Sequence, residues 1–194
     1  MSDAQFFALV LSALLSENFI LVTCVGIGTH GEAFSTPKEG ARTGLTLTVV
    51  MVVTALISRP IDDILQSIGF TYLRVIIFAL LVYAVIILLR KMLAACLPVL
   101  SARVDKCLSQ TLTNAAVLFC ILTAAQRGYT ITQTFIYAFF GGIGATIVMV
   151  SFAGLREEVS FHHCPKAFRG APILFITMGL MALAVVGFYG LHFT

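Results

Sequence analysis

The sequence predicts an all-α integral membrane protein of about six transmembrane helices, with both termini outside the cytoplasm. Three observations carry this reading. The 194 residues are 59% hydrophobic and 11% charged, with a mean hydropathy of +1.02, whereas soluble domains are roughly half apolar and a quarter charged. The charges gather in short segments between apolar runs, which leaves no charged surface to cover a water-facing core. The runs themselves approach the roughly 20 residues that cross hydrocarbon as a helix, the conformation that pairs every backbone N–H and C=O within its own segment.

The first run, 6–27, follows Met1-Ser2-Asp3. It has no basic n-region and no small-residue cleavage site, so it is expected to be retained as a span. The second, 42–57, is the shortest, and its polar flank 32–42 reads as a re-entrant or interfacial stretch. The third covers 70–89. Beyond it, 92–100 is apolar but short and holds Pro98, which places it along the interface. The remaining spans are 108–125, 132–155 and 172–191.

Orientation follows from Lys and Arg, which cytoplasmic loops retain. Lys38, Arg42, Arg90, Lys91, Arg103, Lys106, Arg156, Lys166 and Arg169 fall on one side, and Arg59, Arg74 and Arg127 on the other. The first group is expected to face the cytoplasm, and an even number of spans then puts both termini outside. The halves echo each other: Glu17-Asn18-Phe19-Ile20-Leu21 resembles Thr113-Asn114-Ala115-Ala116-Val117, and Val50-Met51-Val52 recurs as Val148-Met149-Val150. Three spans per half would invert the second copy, giving one membrane domain, 1–194, of two inverted three-helix repeats, 1–97 and 98–194. That architecture places functional sites near the midplane.

Function classes narrow accordingly. The net charge of +3 is small and the basic residues sit at span ends, so the bilayer is the expected partner and nucleic acid is not. Cys24, Cys96, Cys107, Cys120 and Cys164 have no CxxC spacing and imply no disulfide framework. His162-His163-Cys164 has the composition of a soft metal site, but adjacent loop residues seldom converge on one ion and no fourth ligand is evident. Ser12, Ser16 and the threonines lack His and Asp companions for a nucleophilic triad, so no catalytic residue is assigned.

Glu17 stands out, because a carboxylate at a helix centre in hydrocarbon costs about 2.5 to 3.5 kcal/mol. It is read as a proton or Na⁺ site, as a partner for a group on a neighbouring subunit, or as a neutral acid bonded to helix backbone. Asn18, Thr113 and Asn114 are further midplane candidates, able to satisfy backbone freed at a helix break, with helix-to-helix hydrogen bonding as the plainer role. Gly26, Gly28 and Gly31 close the first span. Gly141, Gly142 and Gly144 lie in the fifth, where close helix packing explains them best.

The order of motifs is a further clue. It runs Glu17-Asn18-Phe19-Ile20-Leu21-Val22 with Gly26 after it, Tyr72-Leu73-Arg74, Pro98-Val99-Leu100, Leu112-Thr113-Asn114, Arg156-Glu157, and Pro165 ahead of Phe168-Arg169-Gly170. Together these resemble the Rnf/Nqr membrane-subunit family along nearly the whole chain, and within it the A-type subunits. The resemblance implies a six-helix inverted-repeat fold in a multi-pass inner-membrane subunit. It also implies a redox complex passing electrons between ferredoxin and NAD or a quinone, coupled to Na⁺ or H⁺ movement, and an oppositely oriented E-type partner. On this view the chain is not an enzyme alone.

The resemblance further implies an iron–sulfur cluster shared with the partner, to which each of the two chains supplies two cysteines. One follows the first-span motif and the other follows the Thr-Asn pair. Here those positions hold Gly28 and Ala115, neither of which offers a thiolate. Cys24 and Cys120 are the only displaced-ligand candidates nearby. A shift of a helix turn moves a sulfur by roughly 5 to 7 Å along the axis. The alternative is a transporter or accessory membrane protein that keeps the scaffold without electron transfer.

Overall fold

A computed structural model describes residues 3–16, 36–96, 105–111, 114–161 and 171–189, all of them helix or short connection. In chain order the helices are α1 (Asp3–Leu11), α2 (Pro37–Ile68), α3 (Arg74–Cys96), α4 (Asp105–Thr111), α5 (Ala115–Gln126), α6 (Ile131–Phe161) and α7 (Ala171–Tyr189). A π-helical turn, Ser12–Ser16, extends α1, and a 3₁₀ turn, Thr71–Leu73, leads into α3.

Among the described residues, three helices are long and apolar enough to cross a membrane. A fourth span forms if α4 and α5, bent by 53° at their junction, are taken together. The described residues are thus all-helical, with the several apolar helices of a multi-pass membrane protein. Parts of the expected first and last spans fall in α1 and α7, and residues 17–35 and 190–194 lie outside the described set.

Two expectations are corrected. The second run is not the shortest span, because α2 extends for 32 residues. Its polar flank is helical from Pro37 onward, for reasons visible in local chemistry. Thr36 adopts an extended conformation and its hydroxyl accepts from the Glu39 N–H, while Pro37 fills the first turn, where no N–H partner is needed. At the other end Gly69, at φ 82°, takes the left-handed cap that closes the helix. The interfacial segment expected at 92–100 is likewise helical as far as Cys96, continuing α3.

The core forms around α2 and α6. Leu47, Val50 and Met51 of α2 meet Tyr137, Ala145, Val148 and Met149 of α6, with Phe78 and Ile86 of α3 and Val117 and Ile121 of α5 closing the sides. The α2–α6 crossing is close because glycines line it. A Cβ on Gly44 would lie 2.8 Å from Thr146 Cα, and one on Gly142 would lie 2.9 Å from Thr48 Cα. Gly40 in turn sits against Met149, its Cβ position 3.0 Å from that residue's carbonyl oxygen. Ascending α2 therefore meets descending α6, so the two helices run antiparallel where they cross. Gly142 thus has the packing role expected of the fifth-span glycines.

The contact is also reciprocal. Thr48 bonds back to the Gly44 carbonyl and Thr146 to that of Gly142, at 2.9 and 2.8 Å, and the two hydroxyls meet at 3.3 Å. Gly44 and Gly142, Thr48 and Thr146, and Val50-Met51-Val52 and Val148-Met149-Val150 are each 98 positions apart. One glycine-to-threonine spacing thus serves both sides of a contact with local twofold character.

Candidate functional site

A candidate site is the break between α4 and α5. A helix interrupted inside a membrane frees carbonyls on one side and N–H groups on the other, and these need partners from protein or a lined cavity. Asn114 supplies one. Its backbone is extended, its Oδ1 accepts from the Ala116 N–H at 2.9 Å, and its own N–H donates to the Thr111 carbonyl at 3.0 Å. A side chain that caps a helix favours ending the preceding one, which is why the sequence breaks here.

Polar groups from two elements back this break. Thr111 is buried and donates to the Cys107 carbonyl at 2.9 Å. Thr43, buried on α2, lies 3.3 Å from Gln110 Oε1 and 3.7 Å from Cys107 Sγ. Thr43 and Gln110 were not singled out from sequence. The available signal was a threonine one residue before Gly44 on the most tightly packed helix.

Of the residues singled out, Asn114 is buried at the break, Ala115 faces outward from the first turn of α5, and Cys120 is fully buried. Cys120 shares an inward stripe with Ala116, Val117, Ile121 and Ala124. It lies about 140° around the helix from Ala115 and about 7.5 Å along it. Glu17, Asn18, Cys24, Gly28, Thr113 and the His162-His163-Cys164 run lie outside the described residues. The π-helical turn Ser12–Ser16 ends directly before Glu17 and packs on α6 and α7, with Ala13 fully buried. Turns of this kind occur often beside functional residues.

A second polar cluster joins α2 to α3. Asp62 is fully buried. Arg59 Nη1 approaches its Oδ2 at 3.2 Å, Gln66 Nε2 donates to the same oxygen at 2.8 Å, and Arg74 Nε lies 2.6 Å from Oδ1, off the axis of a hydrogen bond. Arg59 also reaches Asp63 at 3.1 Å. Two arginines of the orientation count, Arg59 and Arg74, are thus tied to carboxylates, and they lie within α2 and at the start of α3 rather than in a loop. Sequence reading missed Asp62, although Arg59-Pro60-Ile61-Asp62-Asp63 carries an i,i+3 pair in an apolar helix.

Comparison with known proteins extends over the same length. A family model described as "Rnf-Nqr subunit, membrane protein" matches residues 6–192. The chain is 33% identical to the A subunit of the ion-translocating oxidoreductase complex of Syntrophotalea carbinolica, covering 94% of this chain and 95% of that protein. It is 34% identical to the protein of the same name in Azoarcus sp., over 97% and 98% of the two chains. For its counterpart in Shigella flexneri serotype 5b the identity is 33%, over 96% and 97%.

Proposed function

This chain belongs to the Rnf-Nqr family of membrane subunits, and from that premise we propose that it is the A-type subunit of an ion-translocating electron-transport complex of the inner membrane. The observation that carries the proposal is end-to-end similarity to proteins named for that role, with more than nine-tenths of both chains covered. A protein that had kept only a helix-packing motif would match over part of its length.

On this reading the chain works within a multisubunit complex that includes an oppositely oriented E-type partner. Electrons pass between ferredoxin and NAD or a quinone while Na⁺ or H⁺ crosses the membrane. Two inverted three-helix repeats with outward termini fit the reading. Support comes from the reciprocal antiparallel crossing of α2 and α6 and from the excess of Lys and Arg on one side. The chain's own contribution at the α4–α5 break is to hold a helix N-terminus, capped by Asn114, against buried polar groups of α2 and α4.

On this reading the chain lacks thiolates at the two positions where the family resemblance implies ligands for a shared iron–sulfur cluster. Gly28 and Ala115 carry no thiolate. Cys120 points into the chain's own apolar core, on a different face from Ala115, so it is badly placed to meet a partner's ligands. This favours a second reading, in which the scaffold is kept for ion movement or assembly and electron transfer runs through the other members of the complex.

Iron and acid-labile sulfide content, with a low-temperature EPR spectrum, of the purified complex separates the two readings. A cluster lost in Cys24→Ala would return electron transfer to this chain. An intact complex with no cluster dependent on this chain would establish the second reading. If the chain fails to co-purify with any further component, the proposal of a complex is itself overturned.

A further inference from the structure

An apolar groove of about 240 Å³ opens on the outer face of the bundle between α2, α3 and α4. Val50, fully buried, and Leu108 form its floor, Leu89 and Leu93 one wall, and Leu45, Thr46 and Val49 the other. Leu45 and Val49 are 61% and 56% exposed, so the groove faces whatever surrounds the helices. The Thr46 hydroxyl is turned back to the Arg42 carbonyl at 2.9 Å, which leaves the lining almost wholly hydrocarbon.

One end of this groove is basic. On α2 the lining residues 45, 46 and 49 continue backward at helical spacing to Arg42 and then Lys38, both exposed. Among the described residues no carboxylate pairs with either. On the opposite wall Arg90 follows Leu89 and is held by Asp105 at 2.6 Å and by Ser109 at 2.5 Å. A hydrocarbon slot that ends in two exposed cationic side chains, neither of them ion-paired among the described residues, suits an amphiphile with an apolar tail and an anionic head.

We propose that this groove binds an anionic phospholipid, one acyl chain lying along Leu45, Val49, Leu89 and Leu93 and the phosphate resting on Arg42 and Lys38. A phospholipid fits better than a protein segment because the groove opens along a membrane-spanning helix. In addition, its basic end belongs to the Lys- and Arg-rich side, where anionic headgroups attract such residues. The inference is independent of electron transfer through the chain.

The test is native mass spectrometry of the full-length chain, delipidated in detergent and titrated with phosphatidylglycerol or with phosphatidylcholine of identical acyl chains. Phosphatidylglycerol is expected to bind the wild type more tightly. The preference should fall about fivefold per removed charge in K38Q and R42Q and persist in R42K, because each cation near the surface contributes a similar increment. Leu93→Trp, which fills the slot, should weaken both lipids while leaving the headgroup preference in place. Equal binding of the two lipids by the wild type, or a preference unchanged in the double variant K38Q/R42Q, would overturn the proposal. So would a crosslinker at Val49→Cys that captures a protein partner rather than lipid in native membranes.

Discussion

Gly142→Ala is expected to be strongly damaging for a substitution that adds a single methyl group. The new Cβ would lie 2.7 Å from Thr48 Cγ2, 2.8 Å from its Oγ1 and 2.9 Å from its Cα. Ordinary carbon contacts are about 3.5 to 4.0 Å, so roughly 1 Å must be found between α2 and α6. The threonine cannot provide it by changing rotamer, because its own backbone carbon is in the way. The helices must separate, which loosens the contacts of Leu47, Val50, Met51 and Met149 nearby.

Overpacking of this kind costs about 1 to 3 kcal/mol, and a backbone obstruction belongs at the upper end. For a chain of this size that corresponds to a loss of about 4 to 12 °C in thermal midpoint. A thiol-reactive dye in detergent reads it directly, since Cys107 and Cys120 are buried until the bundle opens. Gly44→Ala, facing Thr146 in the same way, should lose a similar amount. The double variant should lose less than the sum, because one separation admits both methyl groups. Removing the threonine side chain in Gly142→Ala/Thr48→Ala should not restore stability. A wild-type midpoint for Gly142→Ala, or full rescue by Thr48→Ala, would refute this account of the crossing.

Three further outcomes follow from the buried polar groups. Arg74→Met strands one oxygen of Asp62 and is expected to cost about 3 kcal/mol, toward the lower end for a broken buried pair because Arg59 and Gln66 remain. Adding Asp62→Asn should recover part of that loss, as the same thermal assay would show. Asn114→Ala removes the cap of α5 and should cost about 0.5 to 2 kcal/mol, whereas Asn114→Ser, which can still accept from Ala116, should cost less. Cys120 should resist a membrane-permeant thiol reagent in the native bundle and react once it unfolds; rapid labelling of the folded protein would show that the apolar stripe of α5 is open.

Sequence alone determined the broad outcome. Hydrocarbon leaves the backbone few ways to pair its polar groups, so long apolar runs must be helices, and their positions along the chain can be read directly. The motifs that order those runs were enough to show the family. Asn114 was legible as a polar candidate within an apolar run, but sequence favoured helix-to-helix hydrogen bonding, and only the fold shows it capping α5.

What sequence left open depended on residues distant along the chain. Nothing in Gly44 or Thr146 taken singly shows that they touch; only the antiparallel crossing brings one spacing against its counterpart 98 positions away. Cys120 could be nominated as a ligand while its orientation was unknown. The stripe it shares with Val117 and Ile121 turns it into the core, because helix rotation about the packed face, not distance along the chain, decides where a sulfur points. Asp62 escaped notice because a charge near the end of an apolar run looks like a loop residue until Arg59, Gln66 and Arg74 close around it. Burial and charge pairing are properties of neighbours, and the neighbours are chosen by the fold.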